Sequence, residues 1–392
     1  MFYIHIGVHK TGSTTLQRFF RLNADVLAEA GVLYPDIGIS NSGHHEIAHA
    51  ARRGEFKTGL IAELSAFAKA NGDAAALIST EAFDVLRRRP IKRLVASLKP
   101  HEAKVFVYVR DFTRLVPSKY SQLTKSGENL ADFDAFFERV VAREMAKAEL
   151  PIERWASIVG WPNVRIRALD PRSLVGGELI PDALDALGLD QALLERCDPA
   201  TLRPVNTTPH WTAVEAVRAV AGRLTAAGIA VDRGSGRSVD GVHKAVPLGR
   251  ICSACELAAL QTGLAQRPAQ YLTPEQWRFL AERYQAEVDA LAAASPGPRL
   301  PDAARTPPPK RPFLPSLDAL SAAERSDFRD AVADSKRFPT LEPAARDVVL
   351  RVISKTNYVP GTSRLTARRK RRPLDMSLGA RLRRFWRRLV RR

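Results

Sequence analysis

The stretch Ile4-His5-Ile6-Gly7-Val8-His9-Lys10-Thr11-Gly12-Ser13-Thr14-Thr15-Leu16-Gln17 decides how the rest of the chain reads. The apolar run from Phe2 to Ile6 predicts a short buried strand and Gly7 to Ser13 a tight turn. Thr14 to Leu27 reads as a helix with Leu16, Phe19, Phe20 and Val26 available for burial. A helix that starts there aims unpaired backbone N–H groups, and the positive end of its summed peptide dipoles, into the turn. Gly7 and Gly12 let the backbone curl closely, and Lys10 adds a mobile positive charge. Phosphate is the group such a turn suits.

Outward from this unit the pattern alternates. Ala30 to Pro35 reads as a short strand stopped by proline, and Asp36 to Gly43 as a polar loop. His44 to Arg53 and Phe56 to Ala70 have helical spacing. The continuous apolar runs Ala74–Thr80 and Lys104–Val109 look like parallel strands buried on both faces, with a crossover helix at Pro90–Leu98 between them. Val164 to Leu169 is a further expected strand, and Phe133–Lys147, Pro151–Ile158, His210–Ala226 and Thr273–Ala294 are expected helices. Strands alternating with helices predict an α/β fold, a parallel sheet with right-handed crossovers flanked by helices. Ligands of such sheets collect at the carboxyl ends of the strands. Gly7, Glu81 and Arg110 all fall at those ends.

The order of residues in the turn separates it from the nucleotide-triphosphatase loop, in which Gly-Lys-Ser/Thr closes the turn and the hydroxyl holds magnesium. Here the lysine precedes the second glycine, as Gly7-x-x-Lys10-Thr11-Gly12-Ser13-Thr14. That order resembles the 5′-phosphosulfate loop of sulfotransferases that use 3′-phosphoadenosine 5′-phosphosulfate. A second stretch, Val107-Tyr108-Val109-Arg110-Asp111 through Pro117-Ser118, carries an arginine at a strand end and a serine eight residues later. In the resemblance these clamp the donor's 3′-phosphate, a task that suits a guanidinium fork and a hydroxyl donor.

The resemblance covers about the first 170 residues and is greatest to bacterial members related to carbohydrate sulfotransferases. It implies a P-loop-type fold. It also implies donor contacts from Lys10, Thr11, Gly12, Ser13, Thr14, Thr15, Arg110 and Ser118, with adenosine 3′,5′-bisphosphate as product and no metal. The expected acceptor is a glycan or lipid-linked hydroxyl or amine. Lys10 would stabilise the leaving phosphate. Glu81 is the first choice of base and His45, in a polar loop-to-helix junction, the second. An Arg-Lys-Gly segment completing the 3′-phosphate clamp is missing; Arg203-Pro-Val-Asn206-Thr-Thr-Pro occupies roughly that region and is left unassigned.

One rival motif is His45-Glu46-Ile47-Ala48-His49, which matches H-E-x-x-H and with Glu81-Ala-Phe-Asp84 offers a zinc peptidase reading. The parallel-sheet pattern and the phosphate turn before it weigh against that reading. Another alternative is a membrane-associated binding protein on a nucleotide fold. A kinase would place the lysine differently.

The chain has 392 residues, 45% of them hydrophobic and 26% charged, an ordinary balance that argues against global disorder. Its formal charge of +18 is concentrated: Ser363–Arg392 holds thirteen Lys/Arg against Asp375 alone. The expected organisation is an α/β domain over 1–294, a proline-rich linker over 295–315, a helical extension over 316–362 and a basic tail over 363–392. In the tail, Leu378, Leu382, Phe385, Trp386, Leu389 and Val390 gather on one side of a helix among arginines. That pattern suits an anionic membrane surface, with a solvated arginine tail and RNA binding as the alternatives. Cys252-Ser-Ala-Cys255 reads as two small buried residues on a helix rather than a redox or zinc pair. Three cysteines and no leader or spanning segment predict a cytoplasmic protein, peripheral to the membrane if the tail binds it.

Overall fold

The computed structural model describes residues 1–7, 11–57, 59–72, 74–98, 102–142, 149–202, 209–229, 231–232, 246–267, 270–294, 317–336, 338 and 343–354. The turn residues Val8, His9 and Lys10, the 203–208 segment, the 295–315 linker and the basic tail lie outside them.

The described elements begin with β1 (Phe2–Ile6), α1 (Ser13–Leu22), α2 (Ala24–Glu29), β2 (Val32–Leu33), α3 (His45–Arg53), α4 (Leu60–Ala70) and β3 (Ala75–Thr80). They continue through α5 (Arg88–Ser97), β4 (Ala103–Val109), α6 (Phe112–Lys125), α7 (Phe133–Ala142), α8 (Glu149–Val159), β5 (Val164–Ala168) and α9 (Leu179–Leu187). The remainder are α10 (Trp211–Ala226), a short pair β6 (Val231–Asp232) and β7 (Val246–Pro247), α11 (Leu248–Gln261), α12 (Pro274–Ala294), α13 (Ala322–Asp334) and α14 (Pro343–Ser354).

The chain divides into two compact units. The first comprises residues 1–119, 137–208 and 274–308. Its heart is a five-stranded sheet in the order β2-β3-β1-β4-β5, parallel throughout, so the α/β class and parallel sheet expected from the apolar runs are present. The register puts Ile6 of β1 beside Thr80 on one side and Val107 on the other.

Successive side chains of a strand face opposite ways. Tyr3, Leu77, Phe106 and Tyr108 pack with Leu16, Phe19 and Phe20 of α1 and with Ile180 and Leu184 of α9. The alternate residues Ile4, Ile6, Ile78, Val105 and Val107 are also buried. The α3, α4, α5 and α8 helices pack together, and α8 lies on β4. Burial on both faces is why these strands read as unbroken apolar runs.

The helix expected over Thr14–Leu27 is two. It breaks at Asn23 (φ −114°, ψ 29°), whose buried side chain donates to the Phe19 carbonyl and to Thr201 Oγ1 and accepts from the Asp198 N–H. An asparagine that leaves the helix satisfies partners a continuous helix would deny it. The helix expected from Phe56 starts at Leu60, because Gly54 and Gly59 take φ of +87° and +69°. Helix α9 has no counterpart in the sequence reading. Buried Asp182 ties it down, accepting from Tyr108 Oη at 2.7 Å and Arg167 Nη1 at 2.9 Å.

The second unit comprises residues 120–136, 209–273 and 309–392, and its described helices α10, α11, α13 and α14 share one apolar core. Buried Glu215 accepts from Tyr120 Oη at 2.9 Å and Arg218 Nε at 2.8 Å; burial raises its pKa, against the pull of Arg218. A capping box between Ser321 and Glu324 starts α13. Cys252 and Cys255 are buried on α11, as expected, and burial pushes the Cys252 thiol up to about 12.

Candidate functional site at the carboxyl edge of the sheet

The strand order reverses at β1. The chain leaves β1 toward β2 in one direction, then runs β2, β3, β4, β5 in the other, so right-handed crossovers put α1 on the opposite face from α3, α5 and α8. Ligands of open parallel sheets bind outside the carboxyl ends of the strands at such a reversal, and here Gly7, Glu81 and Arg110 follow three adjacent strands.

Gly7 continues the ladder, donating to the Thr80 carbonyl at 3.1 Å. A Cβ at Gly7 would stand 2.5 Å from Ser13 Oγ and 3.0 Å from the Glu81 Cα, so Ser13 and Glu81 come this close to the end of β1 only with glycine there. Gly12 takes φ +82°, and Leu179 of α9 covers it, 2.4 Å from where a Cβ would be. Helix α1 then opens with no side-chain cap and no acidic residue in its first turn. Thr15 and Leu16 donate back to the Gly12 carbonyl; the N–H groups of Ser13 and Thr14 have no partner among the described residues.

Ser13 is 7% exposed and its Oγ is buried without a hydrogen-bond partner among the described residues. Leaving such a group unsatisfied costs about 1–3 kcal/mol. The Ser13 hydroxyl, beside Gly7, and the first amides of α1 therefore lie together at the start of the helix, an arrangement that favours an anion. Thr11 is buried, Thr14 exposed and Thr15 half-buried. Lys10, expected to add charge here, lies outside the described residues.

Both expected bases stand beside this turn. Gln17, one turn along α1 from Ser13 and 1% exposed, donates from Nε2 to Glu81 Oε2 at 2.8 Å. His45 Nδ1 lies 2.7 Å from Thr80 Oγ1, an oxygen that also accepts from the Ala82 N–H. Gln17 Oε1 and His45 Nε2 stand 2.8 Å and 2.9 Å from the point where a Gly43 Cβ would be, so Gly43 makes room for both. The structure thus gathers Glu81, Gln17, Thr80 and His45 at one place. Gln17 was not singled out in the sequence, although Ser13 and Gln17 form an i, i+4 polar pair on a helix whose other inward residues are apolar.

The loop before α3, read only as polar, is a built part of this edge. Ser40 and Gly43 exchange backbone hydrogen bonds at 2.8 Å and 3.0 Å across Asn41 and Ser42, both at positive φ (49° and 74°). Tyr34 Oη donates to the Ser42 carbonyl at 2.7 Å. His44 accepts from the Ser79 N–H on Nδ1 and so donates from Nε2 to the Pro35 carbonyl at 2.9 Å. Burial lowers its pKa to about 4.

Arg110 follows β4 directly, and burial, reinforced by Arg114, draws its guanidinium below the ordinary value. Ser118 is buried two turns into α6. Beyond Glu81, buried Asp84 counters the fall that burial imposes on Lys119. A small cavity at the ends of β4 and β5 is lined by Asp111, Asp170, Arg172 and Tyr284, with Arg172 forked onto Asp170 at 3.0 Å and 2.7 Å.

The H-E-x-x-H helix uses its groups otherwise: His45 pairs with Thr80, and His49 Nδ1 lies 3.3 Å from Glu46 Oε1. Among the described residues no group of three or more His, Cys, Asp or Glu is placed to hold a metal ion, and no helix is long and apolar enough to cross a membrane. No protein-family model, curated protein or solved structure significantly matches the chain.

Proposed function

We propose that the chain is a sulfotransferase on a P-loop-type fold, moving a sulfuryl group from 3′-phosphoadenosine 5′-phosphosulfate to a hydroxyl or amine of a glycan or lipid-linked acceptor. The observation that carries this reading is the buried, unpartnered Ser13 hydroxyl at the uncapped start of α1, packed on Gly7 and next to Glu81. The donor's 5′-phosphosulfate would take up those donors, with Lys10, Thr11, Gly12, Thr14 and Thr15 around it. Arg110 and Ser118 would receive the 3′-phosphate.

In the transfer, the acceptor oxygen forms a bond to sulfur as the bond from sulfur to the 5′-phosphate oxygen breaks. The acceptor proton passes to Glu81, and adenosine 3′,5′-bisphosphate leaves carrying the negative charge. The α1 amides, the Ser13 hydroxyl and Lys10 act where that charge develops. Gln17 holds Glu81 by one carboxylate oxygen and leaves the other for the proton. His45 is the second candidate for the base.

The test is transfer of label from ³⁵S-labelled donor into a cell extract. Glu81→Gln should lower the transfer rate by about two orders of magnitude or more while binding of the product nucleotide persists. Unchanged transfer in Glu81→Gln, with loss in His45→Asn, would move the base to His45. No transfer by the parent protein into any extract would count against the activity.

A further inference from the structure

We propose that the outer face of α5 and the end of α3 is a docking surface for a linear polyanion, a carboxylated or sulfated glycan. Its identity as the acceptor polymer rests on the sulfotransferase reading. The surface itself does not.

Arg52 on α3, Arg87 before α5 and Arg88, Arg89, Lys92 and Arg93 on α5 are all exposed, and none pairs with a carboxylate among the described residues. Nearby Arg53, in contrast, is tied to Glu55 at 2.6 Å. From Val85 to Leu98 the chain contains no acidic residue at all.

On α5 the spacing of these charges works against the helix that displays them. Arg88 and Lys92, and Arg89 and Arg93, are like charges at i, i+4. Arg88 and Arg89 also occupy the first turn of a helix whose dipole is positive there, and that turn has no acidic residue and no side-chain cap. An external anion would relieve both penalties.

Position and shape select the partner. Arg87 comes six residues after Glu81, and α3 starts at His45, so both helices lead away from the candidate bases. They pack together, and the Arg93 guanidinium lies 4.3 Å over the Phe56 ring and 3.9 Å from the Cβ position of Gly54. That brings the α5 cations beside the end of α3, and along α5 itself, whose ten residues span about 15 Å, they form a stripe.

A lipid surface would call for apolar side chains among the cations, and from Glu81 to Leu98 only Val85 is a large exposed one. Single-stranded nucleic acid would call for an aromatic platform, and Phe56 is buried beneath Arg93. A chain of regularly spaced carboxylates or sulfates needs only the stripe.

The experiment is arginine footprinting of the full-length chain with phenylglyoxal and peptide mapping, so that this stripe is read separately from the arginines after Ser363. Dextran sulfate and polygalacturonate should each protect Arg87, Arg88, Arg89 and Arg93. Arg89→Glu should weaken that protection by about tenfold at low salt and melt at or above the parent's temperature, since a glutamate suits the first turn.

Protection confined to residues after Ser363 would overturn the proposal. So would protection of the stripe by poly(U) RNA or phosphatidylglycerol vesicles equal to or greater than that by the polysaccharides. A lower melting temperature in Arg89→Glu with protection of its neighbours unchanged would make the charges structural and overturn it too. Titration of the same preparation with adenosine 3′,5′-bisphosphate separates the two readings: protection without nucleotide binding keeps the surface and removes its assignment to an acceptor.

Discussion

His44 is buried with both ring nitrogens engaged, one accepting from the Ser79 N–H and the other donating to Pro35, an arrangement open only to the neutral ring. The unfolded chain takes up a proton at this histidine near pH 6.5, the folded chain only near 4. Its contribution to stability is therefore complete above about pH 6.5 and falls away as pH drops toward 4, on the order of 3 kcal/mol for that shift. His5, buried under the same edge and lowered by burial to about 3, acts in the same direction. We expect denaturant melts between pH 7 and pH 4 to show this loss, and His44→Gln, which keeps a donor for Pro35, to flatten the slope. An unchanged slope in that variant would place the sensitivity elsewhere. Ser13 is the opposite case, a buried hydroxyl without a partner among the described residues.

At the scale of elements, α9 depends on one carboxylate. Asp182 is buried and receives Tyr108 from β4, Arg167 from β5 and the Val175 N–H from the chain just before α9. Asp182→Ala would leave Arg167 paired only with exposed Asp185 and strand the Tyr108 hydroxyl. We expect it to cost about 3–5 kcal/mol, read as a shift in the urea midpoint. Because Leu179 at the head of α9 covers Gly12, the variant should also loosen the turn, read as faster amide exchange in residues 11–16.

The strands and the positions of Gly7, Glu81 and Arg110 were legible because double-sided burial writes itself as an apolar run that stops at the edge. The break at Asn23 was not, since its partners Asp198 and Thr201 lie far along the chain. Gln17 was hidden for the same reason: what makes it part of the site is contact with Glu81, brought near by the order of strands rather than by any local pattern. The Ser40–Gly43 turn is local, but its place beside Gln17 is not.

Over the whole molecule, the α/β unit sets Gly7, Glu81 and Arg110 at the ends of adjacent parallel strands with His45 of α3 against Thr80, while the second unit builds its own helical core. The α/β class followed from apolar runs of strand length alternating with helical spacing. The specific ligand rests on residue order in the turn and on what Ser13 lacks. The most direct measurement is isothermal calorimetry of the full-length chain with adenosine 3′,5′-bisphosphate, without added metal. The account predicts one site per chain, weakened about tenfold or more in Arg110→Ala through loss of a charge-assisted fork, and weakened also in Ser13→Ala even though that variant unfolds no more easily than the parent. Absence of heat with the parent protein, or equal binding by all three proteins, would contradict it.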